Sequence, residues 1–140
     1  MNTNKTILVT GGAGFIGSEL VRYLLENTEN TVVNVDNLTY SGNLQSLISI
    51  ASNEKYIFKQ IDICNENELK KVLLENKPDI VMHLAAESHV DRSIEGPKDF
   101  IQTNIVGTFI LLEQVKNYWQ KLNGAKKNDF RFLHVSTDEV

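Results

Sequence analysis

Apolar residues along the 140-residue chain follow two spacings that alternate from one end to the other. Short apolar-rich runs occupy residues 6–10 (TILVT), 31–35 (TVVNV), 56–61 (YIFKQI), 79–84 (DIVMHL) and 130–136 (FRFLHVS). Runs of this length, rich in β-branched residues, predict strands covered on both faces. Between them apolar residues return every three or four positions, which predicts helices with one buried stripe. Over residues 15–26 that stripe is Ile16, Leu20, Val21, Leu24 and Leu25, opposed by Glu19, Arg22 and Glu26. Over 66–76 it is Leu69, Val72 and Leu73, and Pro78 helps to end the helix. Residues 37–52 are less regular; Leu44, Leu47, Ile48 and Ala51 suggest a short helix after a Tyr-Ser-Gly loop.

The longest periodic segment runs over 97–122, with Pro97 suited to its first turn. Ile101, Ile105, Thr108, Leu112, Val115, Trp119 and Leu122 form one seam, and Val106, Phe109 and Ile110 add a second apolar row. So broad a face can serve both a sheet and a partner; amphipathic helices usually bury their stripe internally, so core packing is the expectation here. Residues 121–129 read as a polar loop. Strands alternating with helices predict an α/β fold, a Rossmann-type doubly wound parallel sheet in one domain over 1–140.

Composition narrows the class of function. The apolar fraction of 41% and the charged fraction of 23% belong to a globular chain with an ordinary core. The net charge of -4 is interspersed, with no basic stripe for a nucleic acid and no polybasic patch for a membrane. No apolar run has the length of a signal peptide or membrane span. Cys64 is the sole cysteine, which excludes an internal disulfide and suits a reducing, cytoplasmic setting.

The candidate chemistry begins with Gly11, Gly12, Gly14 and Gly17, between the first strand and the first helix. Residues 12–17 (GAGFIG) match GxGxxG in the strand-to-helix context that gives the pattern meaning. Such glycines permit a tight turn and a close approach of backbone to a pyrophosphate, while helix amides face the anion. The bland alternative is a connection that only turns the chain. Asp36 follows Gly17 by nineteen residues, at the end of the second strand. A carboxylate there accepts hydrogen bonds from an adenosine ribose and selects NAD over NADP, since Asn37, Leu38, Thr39 and Tyr40 include no arginine to meet a 2′-phosphate. A surface or capping aspartate is the alternative. Strands four and five end in Ala85-Ala86-Glu87-Ser88-His89 and Ser136-Thr137-Asp138-Glu139, where an open parallel sheet forms its ligand crevice. Small Ala85 and Ala86 admit a dinucleotide, and Ser88 can bond a substrate. His83, His89 and His134 show no metal-ligand spacing and read as core or loop residues, and no metal is expected.

Four motifs in fixed order, TGGAGFIGS at 10–18, DNLTYSGN at 36–43, LAAESHVDRS at 84–93 and STDEV at 136–140, closely resemble the dTDP-glucose 4,6-dehydratase family of extended short-chain dehydrogenases/reductases. The resemblance spans nearly the whole chain; the Thr-Asp-Glu run is its most discriminating element, because related epimerases lack that acid pair. It implies that Phe15, Ile16, Asp36, Asn37, Leu38, Thr39, Asp62, Ile63, Leu84, Ala85, Ala86, Ser88 and Thr103 touch NAD. It further implies that Ser88 and Thr137 contact the dTDP-glucose substrate. The implied catalytic residues are Thr137, assisting a tyrosine at the sugar C4 hydroxyl, Asp138 as acid at C6 and Glu139 as base at C5. A solvated acidic turn is the bland alternative for the pair.

The family's Tyr-x-x-x-Lys pair has no counterpart here. None of Tyr23, Tyr40, Tyr56 and Tyr118 has lysine four positions on; Lys59 and Lys121 follow Tyr56 and Tyr118 at three. The 140 residues therefore read as an incomplete Rossmann domain, truncated after its fifth strand and inactive alone, within a parent enzyme expected to be a homodimer. An apolar fifth strand left as an edge predicts self-association of the chain itself. Two other readings stay open: a dehydratase of another nucleotide sugar such as UDP-glucose, and a non-catalytic dinucleotide-binding or interaction module.

Overall fold

The computed structural model describes residues 4–88, 94 and 96–136. β1 (Thr6–Thr10), β2 (Thr31–Asp36), β3 (Tyr56–Gln60), β4 (Ile80–His83) and β5 (Arg131–His134) form one sheet in the order β3-β2-β1-β4-β5. Every pairing is parallel. The strand order reverses between β1 and β4, so the carboxyl ends of those two strands flank the switch point at which such sheets bind ligands.

β1 lies in the middle of the sheet, which is why its run is apolar throughout. Its successive side chains enter opposite layers. Leu8 joins Val33, Val35 and Val81 beneath α2 (Glu66–Asn76) and the long helix, against Leu69, Val72, Leu73, Leu111, Val115 and Tyr118. Ile7 and Val9 join Val32 beneath α1 (Phe15–Asn27) and a 3₁₀ segment (Leu44–Ile50), against Val21, Leu24, Leu25, Leu47 and Ile50. Ile16, expected on the buried stripe of α1, is exposed instead. The Asn65 side chain caps α2 by accepting from the Glu68 amide, and Lys77 ends it in a left-handed conformation at φ 49°.

The expected single helix over 97–122 is three pieces in sequence: α3 (Pro97–Phe100), a π-helical segment (Ile101–Gly107) and α4 (Thr108–Gln120). The predicted seam is also wrong. Only Val115 of it is buried; Ile101, Ile105, Leu112 and Trp119 are exposed. The row that faces the sheet is Gly107, Leu111, Gln114, Val115 and Tyr118. This row is less apolar in sequence, but its polar atoms are met: Gln114 Nε2 donates to Glu66 Oε1 at 3.0 Å and Tyr118 Oη donates to the Pro78 carbonyl at 2.9 Å. Burial thus followed close approach, with Gly107 against Ile63, and left the bulkier row outward. Residues expected as a polar loop after the helix hold a short helix, α5 (Gly124–Asp129). Among the described residues, β5 is one of the two edges of the sheet, β3 being the other, and is shorter than the run that predicted it. No helix among them is long and apolar enough to cross a membrane.

Candidate functional site

The turn after β1 is set by contact between backbones. Gly11 adopts φ 74°, and a Cβ there would lie 2.7 Å from the Ala85 amide nitrogen, so the turn rests directly on the loop after β4. At Gly17 a Cβ would meet the Gly11 carbonyl oxygen at 2.1 Å, so the first turn of α1 closes against the loop that precedes it. Gly14 differs. Beyond the Gly11 oxygen at 3.3 Å nothing lies near its Cβ position, and that side of the loop faces open space. No side chain caps α1, and no acid occupies its first turn. Phe15 and Ile16 are 95% and 66% exposed, outside the core. A helix start lined by glycine, uncapped and open to solvent fits an anion such as a pyrophosphate.

Asp36 ends β2 beside this turn. Its Oδ2 accepts from the Ala13 amide at 2.9 Å and its Oδ1 from the Leu38 amide at 2.8 Å. The carboxylate therefore braces the glycine loop and the left-handed Leu38, φ 55°, at once. Each oxygen keeps a second acceptor site for a hydroxyl. The Ala13 carbonyl in turn accepts from the Asn43 amide at 2.9 Å.

Beyond Asp36 opens a cleft of about 670 Å³, lined in part by Asn37, Thr39, Asp62, Glu87 and Thr103. Asp62 is held in place by two contacts, accepting from the Cys64 amide at 2.8 Å and from Asn37 Nδ2 at 3.3 Å. Four of the residues named from sequence, Asn37, Thr39, Asp62 and Thr103, thus meet across one opening. Leu38, Ile63 and Leu84 do not present side chains to it: Ile63 is buried in one core layer, and Leu38 and Leu84 pack against the other. Ala86 and Ser88 are exposed, and Ala85 abuts Gly11. Thr137, Asp138 and Glu139, the expected catalytic residues, lie outside the described residues, as does His89.

Sequence reasoning missed Asn104. Its side chain clasps the loop after β4 reciprocally: Oδ1 accepts from the Glu87 amide at 2.8 Å, and Nδ2 donates to the Glu87 carbonyl at 2.9 Å. An amide among Ile101, Ile105 and Val106 is the signal that could have found it, since such a position needs a partner for its polar atoms. The π segment carries this residue, and π turns recur at functional sites. Its Gln102 carbonyl accepts from Cys64 Sγ at 3.3 Å. Burial raises the Cys64 thiol above its usual range, which leaves it a donor here and not a nucleophile.

Neither tyrosine with a lysine nearby is fit to act as a base. Burial, reinforced by Asp79, pushes the Tyr118 phenol up to about 12. Burial likewise raises Tyr56, whose oxygen accepts from Asn34 Nδ2 at 3.1 Å.

A parallel sheet in this order, with a glycine turn after its central strand and a braced acid ending the next, defines a Rossmann-type domain of the short-chain dehydrogenase/reductase class. More narrowly, residues 8–140 match the family model for GDP-mannose 4,6 dehydratase, and the chain belongs to that family. It is 60% identical over 134 residues to a dTDP-glucose 4,6-dehydratase of Shigella flexneri, covering 96% of this chain and 37% of that protein. The fold is similar to the crystal structure of a dTDP-glucose 4,6-dehydratase from Bacillus anthracis in complex with NAD, with a TM-score of 0.80 at 40% identity over 97% of this chain and 38% of that one. It is also similar to a UDP-Glc/GlcNAc 4-epimerase from Campylobacter jejuni, with a TM-score of 0.81 at 27% identity over 96% of this chain and 38% of that one. The chain thus spans less than two fifths of the length of each of these proteins.

Proposed function

We propose that residues 1–140 form the NAD-binding domain of a 4,6-dehydratase that converts dTDP-glucose to the 4-keto-6-deoxy sugar and water. The observation that carries this reading is an open, uncapped glycine turn at the switch point, braced by Asp36 and resting on the loop after β4, together with a cleft lined from the loops after β2, β3 and β4. The identity of 60% to the Shigella flexneri dehydratase supports the choice of reaction and substrate. NAD would supply a reversible hydride acceptor, holding the hydride from C4 and giving it back to C6 after water has left, so that the 4-keto-6-deoxy sugar forms with no net change in the cofactor. Gly11, Gly12, Gly14 and the exposed start of α1 at Phe15 and Ile16 receive its pyrophosphate, with Gly17 closing the helix against the loop. Asp36, Asn37, Leu38 and Thr39 take the adenosine ribose, and Asp62 and Ile63 border the adenine. Leu84, Ala85, Ala86, Ser88 and Thr103 border the remainder of the cofactor.

In this assignment Thr137 assists removal of the proton from the sugar C4 hydroxyl. Glu139 takes the C5 proton, acidified by the C4 carbonyl, while Asp138 protonates the departing C6 hydroxyl, so that water leaves. Two neighbouring carboxyls perform opposite tasks only when their surroundings keep one protonated and the other ionised. Ser88 and Thr137 contact the sugar nucleotide.

The outward row of the long helix supports a homodimer as the partner state. Ile101, Ile105, Phe109 and Leu112 form an exposed apolar stripe that a second copy of the same helix can cover. The lone Cys64 suits a reducing, cytoplasmic setting.

Incubating the purified full-length parent enzyme with NAD and a panel of dTDP- and UDP-glucose tests the assignment by mass spectrometry of the sugar nucleotide. Loss of water from dTDP-glucose is the expected result. Loss from UDP-glucose alone reassigns the substrate, and inversion at C4 without loss of water, as in an epimerase, refutes the reaction. NAD binding with no turnover of either sugar favours a dinucleotide-binding module.

A further inference from the structure

His83 is the last residue of β4, 1% exposed, and takes no part in the chemistry assigned above. Its ring lies between two hydroxyls from different elements: Nδ1 is 2.7 Å from Thr10 Oγ1 at the end of β1, and Nε2 is 2.9 Å from Thr108 Oγ1 at the start of α4. Thr10 Oγ1 also accepts from the Ala85 amide at 3.3 Å. One tautomer gives the Thr10 hydroxyl proton an acceptor: Thr10 accepts from Ala85 and donates to Nδ1, so Nδ1 is bare and Nε2 carries the ring proton to Thr108. Protons thus run from the Ala85 amide through Thr10 and His83 to Thr108, each donor strengthening the next.

The ends of this chain adjoin the glycine turn on one side and, on the other, the π segment whose Thr103 lines the cleft. Thr10 immediately precedes Gly11, whose backbone touches Ala85. Thr108 immediately follows the π segment that carries Thr103 and Asn104. A buried histidine is a costly way to fill space, since an apolar side chain of the same size would bury more favourably were nothing else required. We propose that His83 is a positioning residue that holds the glycine turn, the loop after β4 and the π segment at the spacing NAD requires, a role resting on the cofactor assignment above.

Its surroundings favour the neutral ring that this arrangement needs. Burial first, and then His134 with its ring 5.0 Å away, bring His83 down to about 4. Among the described neighbours His134 on β5 is the only titratable one; β1 presents Thr10 and the helix Thr108, neither of which titrates near neutral pH. Protonation would place a second donor against Thr10 Oγ1, which already accepts from Ala85, and turn the hydroxyl proton away from any acceptor.

The test measures NAD affinity by titration calorimetry, well below the melting temperature, for wild type, His83→Phe, His83→Gln and the triple variant T10V/H83F/T108V. The triple variant leaves no orphaned hydroxyl, although the Ala85 amide loses its contact with Thr10, and so recovers part of the thermal stability that His83→Phe loses. NAD affinity about tenfold weaker in His83→Phe, still weak in the triple variant and partly rescued in His83→Gln supports positioning. Affinity that returns with stability in the triple variant, or that never changes, overturns it. Nitrogen NMR of the wild-type ring gives an independent reading: a proton on Nδ1 overturns the chain as drawn, and one on Nε2 alone supports it. Wild-type protein that binds no NAD removes the cofactor assignment and this role together, whereas wild-type binding with indifferent variants removes the role alone.

Discussion

At the turn after β1 the chain is positioned by backbone resting on backbone; at the loop after β4, side chains reach over from the long helix. Gly11 lies on the Ala85 amide and Gly17 on the Gly11 carbonyl, so this turn admits no side chain at either place. The loop after β4 is instead held by Asn104 on the Glu87 backbone and by His83 between Thr10 and Thr108. The first kind of wall tolerates almost no substitution and announces itself as a string of glycines. The second can be built from many residue types, and so leaves no recognisable pattern.

The contrast is broken most severely at Gly17. Alanine there forces a Cβ onto a carbonyl that cannot move without the turn, and Gly17→Ala is expected to lose more than about 4 kcal/mol of stability, read from urea denaturation. Acid probes the side-chain wall. The unfolded chain protonates His83 at its ordinary 6.5, while the folded chain resists down to about 4. Stability present above 6.5 is therefore lost as pH falls toward 4, by about 3 kcal/mol at most from this group. In His83→Phe that part of the pH dependence should vanish; an unchanged profile would assign it to other groups. Asn104→Ala removes both contacts to Glu87 and should cost about 2 kcal/mol. NAD affinity should fall with it, since the loop it releases borders the cleft. Phe109→Asp, outside both walls, should alter monomer stability by no more than about 0.5 kcal/mol while reducing the content of the proposed homodimer in sedimentation. Dimer content unchanged by this charge would remove the helix stripe from the interface.

The same difference explains what the sequence made legible. β1 and α2 occupy the residues expected, because an uninterrupted run and a single apolar stripe each admit one placement. The glycine turn and Asp36 were legible for the same reason, though the double amide brace at Asp36 was not. The long helix has two apolar rows, and hydropathy selects the heavier one. The structure buries neither row as a whole: the face toward the sheet is Gly107, Leu111, Gln114, Val115 and Tyr118, because Gly107 lets the helix approach Ile63 closely and the hydroxyl of Tyr118 finds a carbonyl at Pro78. A π turn, which shifts every later residue around the axis, has no signature in a pattern read at 3.6 residues per turn. Asn104 and His83 were hidden because their partners lie 17 and 73 or 25 positions away, two of them threonines without distinction in the sequence.

The brace at Asp36 bears on redesign. An engineer wishing the protein to accept a phosphorylated ribose would begin by deleting that negative charge. The deletion would also release Ala13 and Leu38 from the oxygens that hold them, and the neighbouring glycines have no side chains with which to compensate. Altered cofactor preference therefore calls for a neutral residue that can still receive two amide protons, or for new anchors elsewhere along the loop. In the proposed assignment selectivity and scaffold share one carboxylate, and neither can drift far without the other.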